Sequence, residues 1–263
     1  AKQMNVPIQK NKSVKFVESP KNYFHSEESI PFSDEKLWAY YFTNLPFTPA
    51  PPPMQARYDG SQEATLSPDK VFNLKDSKQL SELGLYFIQS DTTTSQGNGF
   101  LVVHDDYPKF RKVEDLVRPL LYISTQEETQ QILAATDKKA ALDTYWLKQA
   151  DGRVAAAKTM IRTFYNRVTY ANHFFASYKA GWQSDRGMIH IVFGEPEQKI
   201  VTLNGESWFY TRIADGETYN FTFDFDRIYT PLSDNHYVLK RTRDHKINWY
   251  RGVSAWRSYE GWF

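Results

Sequence analysis

The chain has 263 residues, which allows one large or two modest domains able to bury a core without disulfides or metals. Its 32 basic and 31 acidic residues leave a formal net charge of +1 spread along the length, so there is no electrostatic footprint for nucleic acid or anionic lipid. The absence of cysteine excludes disulfides, thiolate metal sites and cysteine nucleophiles, and no apolar run approaches the roughly 18 residues of a membrane span.

Residues 1–35 alternate short apolar pairs with Lys, Ser, Pro and Glu, the pattern of an extended arm or edge strand. The compact apolar run Leu37 to Phe42 leads to Pro46, Pro49 and Pro51-Pro52-Pro53, which fits neither helix nor sheet interior and reads as an extended connector. Strands are predicted at Val71 to Leu74, Gly84 to Gln89 and Gly99 to Val103, the last two joined as a hairpin through the polar stretch Ser90 to Asn98.

The pattern changes near Pro108. A short helical stripe covers Val113 to Leu121, and Thr125 with Glu128 forms a capping box that opens a helix to Ala135. A third helix starts at Thr136 or Asp137 and ends at Asp151-Gly152. In the fourth, Val154, Ala157, Ile161, Phe164, Val168, Ala171, Phe175 and Tyr178 recur at helical spacing, with Arg153, Lys158, Arg162, Asn166 and Asn172 assigned to the polar side. It is expected to run for about 28 residues to a left-handed glycine cap at Gly181.

Beyond it, the apolar run Met188 to Phe193 reads as a buried strand that ends in the turn Gly194-Glu195-Pro196. Ser207 to Tyr210 follows a turn at Asn204-Gly205. Phe221, Phe223 and Phe225 alternate with Thr222, Asp224 and Asp226, and Tyr237 to Leu239 is a further short strand. Trp249, Val253 and Trp256 give a terminal amphipathic helix or a segment wrapped on the core. The predicted class is α+β, with a β-rich region (1–105) carrying the proline connector and a second region (106–263) of helices packed on an antiparallel sheet.

The densest cluster of special residues is Gly181-Trp182-Gln183-Ser184-Asp185-Arg186-Gly187. Its structural reading is a junction in which Gly181 stops the helix, Trp182 fills the gap between helix and sheet, Ser184 or Asp185 bonds free backbone N–H groups, and Arg186 pairs near Asp185 or with Glu195 or Glu206. The functional alternative is a ligand pocket lined by Trp182, Asp185, Arg186 and Trp208.

Chemistry elsewhere is weakly signalled. Gly194 before Pro196 makes a poor anion cradle, since proline lacks an N–H. His104-Asp105-Asp106, His190, Asp224 and Asp226 lack the spacing of a metal site, and Ser184, Asp185 and His190 lack the setting of a nucleophilic triad. Asp224 and Asp226 share a polar strand face opposite the phenylalanines. No catalytic residue, metal or cofactor is assigned.

At Gly181-Trp182-Gln183-Ser184-Asp185 the chain resembles the GWxTD-domain family, with Ser184 in place of the usual threonine. The match extends through Tyr165-Asn166-Arg167-Val168, Ala171-Asn172, Phe174-Phe175, Arg186-Gly187-Met188-Ile189, Phe193-Gly194-Glu195-Pro196, Glu206-Ser207-Trp208, Trp249-Tyr250-Arg251 and Trp256-Arg257. The resemblance implies an exported protein of Bacteroidetes or related bacteria, in the periplasm or associated with the outer membrane. It also implies a lipid anchor or additional β region outside this chain, and leaves the molecular function unassigned. The expected role is a non-catalytic interaction or scaffold module whose partners are other cell-envelope proteins. The alternatives are an envelope hydrolase with a pocket at the motif loop, and a glycan-binding module using exposed rings among Trp249, Trp256 and Trp262.

Overall fold

The computed structural model describes residues 22–30, 37–43, 45, 47–54, 66–74, 80–214 and 217–258. Five strands come first: β1 (Tyr23–His25), β2 (Trp38–Phe42), β3 (Lys70–Asn73), β4 (Gly84–Gln89) and β5 (Asn98–Val103). They form one sheet in the order β1-β5-β4-β2-β3, antiparallel except for the β1–β5 pair. The predicted β4–β5 hairpin is present, and the edge-strand expectation for residues 1–35 is met at β1; residues 1–21 and 31–35 lie outside the described residues.

Alternation along these strands loads both faces of the sheet. Ala39, Tyr41, Tyr86, Ile88, Phe100 and Val102 pack on one side. Phe42, Leu85, Phe87 and Leu101 pack on the other, where Tyr178 meets them from far along the chain. That contact ties the first sheet to the helical region.

Helices α1 (Val113–Val117), α2 (Gln126–Ala134), α3 (Lys138–Gln149), α4 (Val154–Phe175) and α5 (Asp185–Phe193) come next, with a 3-10 turn over Arg118–Tyr122 after α1 and another over Gly181–Gln183 before α5. The capping box of α2 forms as its sequence dictates: Glu128 N donates to Thr125 Oγ1 at 3.2 Å and Thr125 N to Glu128 Oε2 at 2.9 Å. Asp137 caps α3, and Asp151 and Gly152 take the positive φ angles that separate α3 from α4.

The second sheet, β6 (Gln198–Val201), β7 (Gly205–Ala214), β8 (Glu217–Thr230) and β9 (Ser233–Leu239), is an antiparallel meander, followed by α6 (His245–Ser258). Trp208, Tyr210, Phe223, Phe225, Tyr237 and Leu239 line the sheet face that packs on α4, α5 and α6. The α+β class holds. Among the described residues no helix is long and apolar enough to cross a membrane.

Three expectations are corrected. The fourth helix ends at Phe175 rather than Gly181, because Ala176 leaves the helical region (φ −58°, ψ 142°) and frees Tyr178 to reach the first sheet. Asn235 Nδ2 closes that end by donating to Phe174 O (3.3 Å) and Ala176 O (2.9 Å). The run Met188 to Phe193 is helix, not strand. Every residue of α5 is buried, so its sequence carries no polar side from which to read a helical period. Asn172, assigned to the polar side of α4, is fully buried. Strand β6, with all four residues exposed, has no alternation to reveal it in the sequence.

Candidate functional site

Because α5 is surrounded by protein, every backbone group at its ends needs a partner from the chain itself. At the N-terminus Ser184 Oγ accepts from Gly187 N at 3.0 Å and donates to Gly181 O at 2.7 Å, so the hydroxyl serves the cap and the preceding 3-10 turn together. At the C-terminus Arg167 Nη1 donates to Ile191 O (3.2 Å) and Val192 O (3.1 Å), Trp256 Nε1 to Val192 O (3.0 Å), Arg212 Nη2 to Phe193 O (2.7 Å) and Tyr210 OH to Gly194 O (2.9 Å). Two guanidinium groups at a helix C-terminus and a carboxylate in its first turn also follow the helix dipole. Gly194 closes the helix at φ 81°, a conformation that favours glycine. Half-buried Pro196 lies between it and β6.

The two motif glycines are required by close approach. A Cβ on Gly181 would lie 1.8 Å from Ala171 O of α4, and one on Gly187 would lie 2.0 Å from Gly181 O. The loop is therefore stacked backbone on backbone, α4 against the 3-10 turn against α5. Asn172 pins the stack from inside α4: its Oδ1 accepts from Trp182 N (3.1 Å) and its Nδ2 donates to Pro108 O (3.0 Å). Trp182 itself is buried, its carbonyl accepting from Tyr122 OH at 3.0 Å.

The charged pair of the motif divides in two directions. Asp185 reaches β9, where its Oδ2 accepts from Leu239 N (3.1 Å) and its Oδ1 from Arg241 Nη2. Arg186 reaches the other way, donating to Glu206 Oε1 (3.1 Å) and to Asn235 Oδ1 (2.6 Å) and O (3.2 Å), with its guanidinium 3.7 Å from the centroid of the Tyr237 ring. Glu206 is buried and receives two further donors, Lys199 Nζ (3.0 Å) and Trp208 Nε1 (2.8 Å). Burial pulls the Arg186 guanidinium below its ordinary pKa and Glu206 opposes this; a guanidinium in such a pair remains protonated.

A second feature lies beside Asp185. Residues 48–51 of the proline connector form a strap across the motif: Ala50 N donates to Gln183 O (2.9 Å), Thr48 O accepts from Lys179 Nζ (3.4 Å) and Pro51 O from Arg241 Nη2 (3.0 Å). Lys179 is only 3% exposed. Burial, reinforced by Arg241 and opposed by Asp185, pulls its ammonium down to about 8.

This geometry is built on the residues through which the chain resembles one family, and a family model settles the matter: the GWxTD domain model matches residues 84–258, two thirds of the chain. The chain belongs to the GWxTD domain family. Comparison with curated proteins and with solved structures gives no match.

The GWxTD loop thus brings together Gly181, Trp182, Ser184, Asp185, Arg186 and Gly187, and Arg186 links it through Glu206 to Trp208. Gly194 and Pro196 sit at the opposite end of α5. Of the partners the sequence offers Arg186, Glu206 is the one it pairs with, and Glu195 is exposed. Asp185 does not cap its own helix; it anchors β9. His190 stacks on Tyr170 (4.3 Å between centroids, 18° between planes), and burial pushes its imidazole down to about 3, so it is neutral. Asp224 accepts from Ser207 Oγ and Asp226 pairs with Lys240 at 2.9 Å, each engaged with its own strand neighbour.

Sequence patterns do not single out Lys179, Arg241 or Asn235; they mark Arg167 only as a family landmark, and Asn172 as a landmark on the polar side of the fourth helix. The signal in Arg167 and Asn172 is that each is a polar residue close in helical angle to the apolar stripe of α4, where an amphipathic pattern would bury it.

Proposed function

We propose that this GWxTD domain is a non-catalytic interaction or scaffold module of the bacterial cell envelope, a periplasmic or outer-membrane-associated subunit of a larger protein assembly, anchored by lipid outside this chain. The observation that carries the non-catalytic part is the saturation of the motif's polar side chains. Ser184, Asp185, Arg186 and Glu206 are each buried and each bonded to groups of the same chain, an arrangement that braces α5. The envelope setting rests on the family resemblance.

The reading also has a surface. Strand β6 is the edge of the second sheet among the described residues, and Ile200, Val201 and Leu203 on and beside it are 45%, 61% and 86% exposed. Apolar side chains on an open strand edge suit the addition of a partner's strand. The glycan alternative loses two of its three rings, since Trp249 and Trp256 are buried; Trp262 lies outside the described residues.

Two measurements test the proposal. A photo-crosslinking residue placed at Leu203 in the native envelope is expected to capture one recurrent partner protein; recovery of the un-crosslinked chain alone would count against it. Asp185→Asn is expected to cost about 2 kcal/mol of stability, the worth of charge-assisted hydrogen bonds. A hydrolase at the loop predicts the reverse, unchanged stability with loss of a measurable turnover.

A further inference from the structure

The meander of β6 to β9 stops at β6, and no strand among the described residues lies beyond it. Alternation along the ladder shows which of its backbone groups are open. Thr202 N donates to Gly205 O (2.9 Å), which makes that pair a hydrogen-bonded one, so two residues on, in the register Ile200↔Ser207, the backbone groups of Ile200 also turn toward β7. The N–H and C=O of Lys199 and Val201 turn the other way, to the open side. Their side chains share the face of Trp208 and Glu206, the residues opposite them, while that of Ile200 lies on the far face with Ser207.

Edge strands are commonly guarded by a lysine held out into solvent. Lys199 does not guard this one, because its ammonium is drawn back onto Glu206 Oε2 (3.0 Å) and over the Trp208 ring (5.4 Å). Tyr170 and Phe174, at the end of α4, are 37% and 51% exposed, with their rings 4.4 Å apart. Tyr170 interacts electrostatically with Glu206, the residue opposite Val201, which puts this aromatic pair next to the strand. The edge is open and flanked by apolar surface.

A strand laid antiparallel along β6 must present outward backbone groups at the same two-residue spacing and no cation opposite Lys199. A second β6 does so in one register. With a two-fold axis through Ile200, Lys199 of each copy faces Val201 of the other, both hydrogen-bonded pairs form, and the two Ile200 side chains meet on the outer face. Moving the axis to Lys199 sets lysine against lysine. Moving it to Val201 leaves Lys199 opposite Leu203, which lies beyond the end of β6 in the hairpin turn.

Building on the reading of β6 as a docking edge, we propose that its occupant is β6 of a second copy of this chain, paired in the register centred on Ile200. The two second sheets then continue into one, with Tyr170 and Phe174 of both copies on the same side of it. A short edge flanked by two rings falls at the low end of stable interfaces, for which about 800 Å² per partner is standard, so the dimer is expected to dissociate on the order of 10 µM.

The chain has no cysteine of its own, so disulfide trapping reads the register directly. Ile200→Cys brings two thiols to a non-hydrogen-bonded pair, about 4.5 Å apart between Cα atoms and within the span of a disulfide. In a glutathione redox buffer it is expected to form a covalent dimer at least about tenfold faster than Leu203→Cys, although Leu203 is the more exposed residue. Sedimentation equilibrium of the whole wild-type chain is expected to show the dimer predominating by about 100 µM. Val201→Pro removes an N–H that faces solvent in the single chain, a change an edge strand tolerates, and should abolish the dimer while leaving the melting temperature nearly unchanged. Three results would each overturn the proposal: a wild-type chain that is monomeric at about 100 µM; Ile200→Cys trapping no faster than Leu203→Cys; or a Val201→Pro dimer as tight as wild type. If a chain that fails in this way still crosslinks from Leu203 to a different envelope protein, the docking edge stands and only its occupant is wrong; if it crosslinks to nothing, both fall.

Discussion

Replacing Lys179 by methionine should stabilise this protein at neutral pH and do nothing at pH 10. The lysine sits under the 48–51 strap, 3% exposed, with a single long hydrogen bond to Thr48 O at 3.4 Å. Its proton affinity falls from the ordinary 10.5 to about 8, because burial and Arg241 outweigh the attraction of Asp185. At pH 7 both folded and unfolded chains carry the proton, so the folded chain bears the whole cost of burying it, about 3 kcal/mol at about 1.4 kcal/mol per tenfold change in proton affinity.

Between pH 8 and 10.5 the folded chain has released the proton while the unfolded chain still binds it. Stability therefore rises with pH across this window, and the cost shrinks to about 1 kcal/mol at pH 10. Methionine keeps the unbranched stem, removes the cost at every pH and forfeits a hydrogen bond worth about 1 kcal/mol. The net expectation is a gain of about 2 kcal/mol at pH 7 that vanishes by pH 10. Urea denaturation of wild type and K179M at the two pH values, followed by tryptophan fluorescence, measures it; Trp182, Trp208, Trp249 and Trp256 are all buried and report unfolding. A variant less stable than wild type by the same amount at both pH values would refute the reasoning, since it would mean that the folded protein holds the ammonium without penalty.

The other predictions concern the brace around α5. Glu206→Leu should cost about 3–5 kcal/mol by leaving the Arg186 guanidinium buried without its carboxylate, and adding Arg186→Met should restore most of that loss in denaturant titrations. Gly181→Ala places a methyl 1.8 Å from Ala171 O and is expected to cost well over about 2 kcal/mol or to prevent folding. Gly152→Ala, at φ 72° with open space around it, should cost only about 1–2 kcal/mol from backbone strain in the same assay.

The sequence is most legible where partners lie close in the chain. The Thr125 capping box, the limits of β4 and the Asp151-Gly152 break depend on neighbours within a few residues, and each is where its sequence puts it. Where long-range packing decides, local patterns are silent. Gly181 looks like a helix stop, and the purpose of both motif glycines is visible only once Ala171 O is seen against Gly181 and Gly181 O against Gly187. Of the two residues the sequence offers for the free N–H groups, Ser184 makes the cap, but the element it caps has the apolar run of a strand, since a helix buried on all sides shows no period. Arg186 found one of its suggested partners, Glu206. Asp185 found Leu239 and Arg241, more than fifty residues away, which no spacing rule reaches.

The strap over the motif bears on how the domain should be handled at the bench. The family match begins at Gly84, yet Thr48, Ala50 and Pro51 bond Lys179, Gln183 and Arg241, and β2 lies hydrogen-bonded along β4. An expression fragment trimmed to the matched boundary would strip the motif loop of these three acceptors and donors and open the side of β4 that β2 covers. The length over which the family is recognisable is thus shorter than the length over which the loop is protected from solvent. A truncation intended to isolate the domain should begin upstream of β2, so that the loop is studied with its own cover in place.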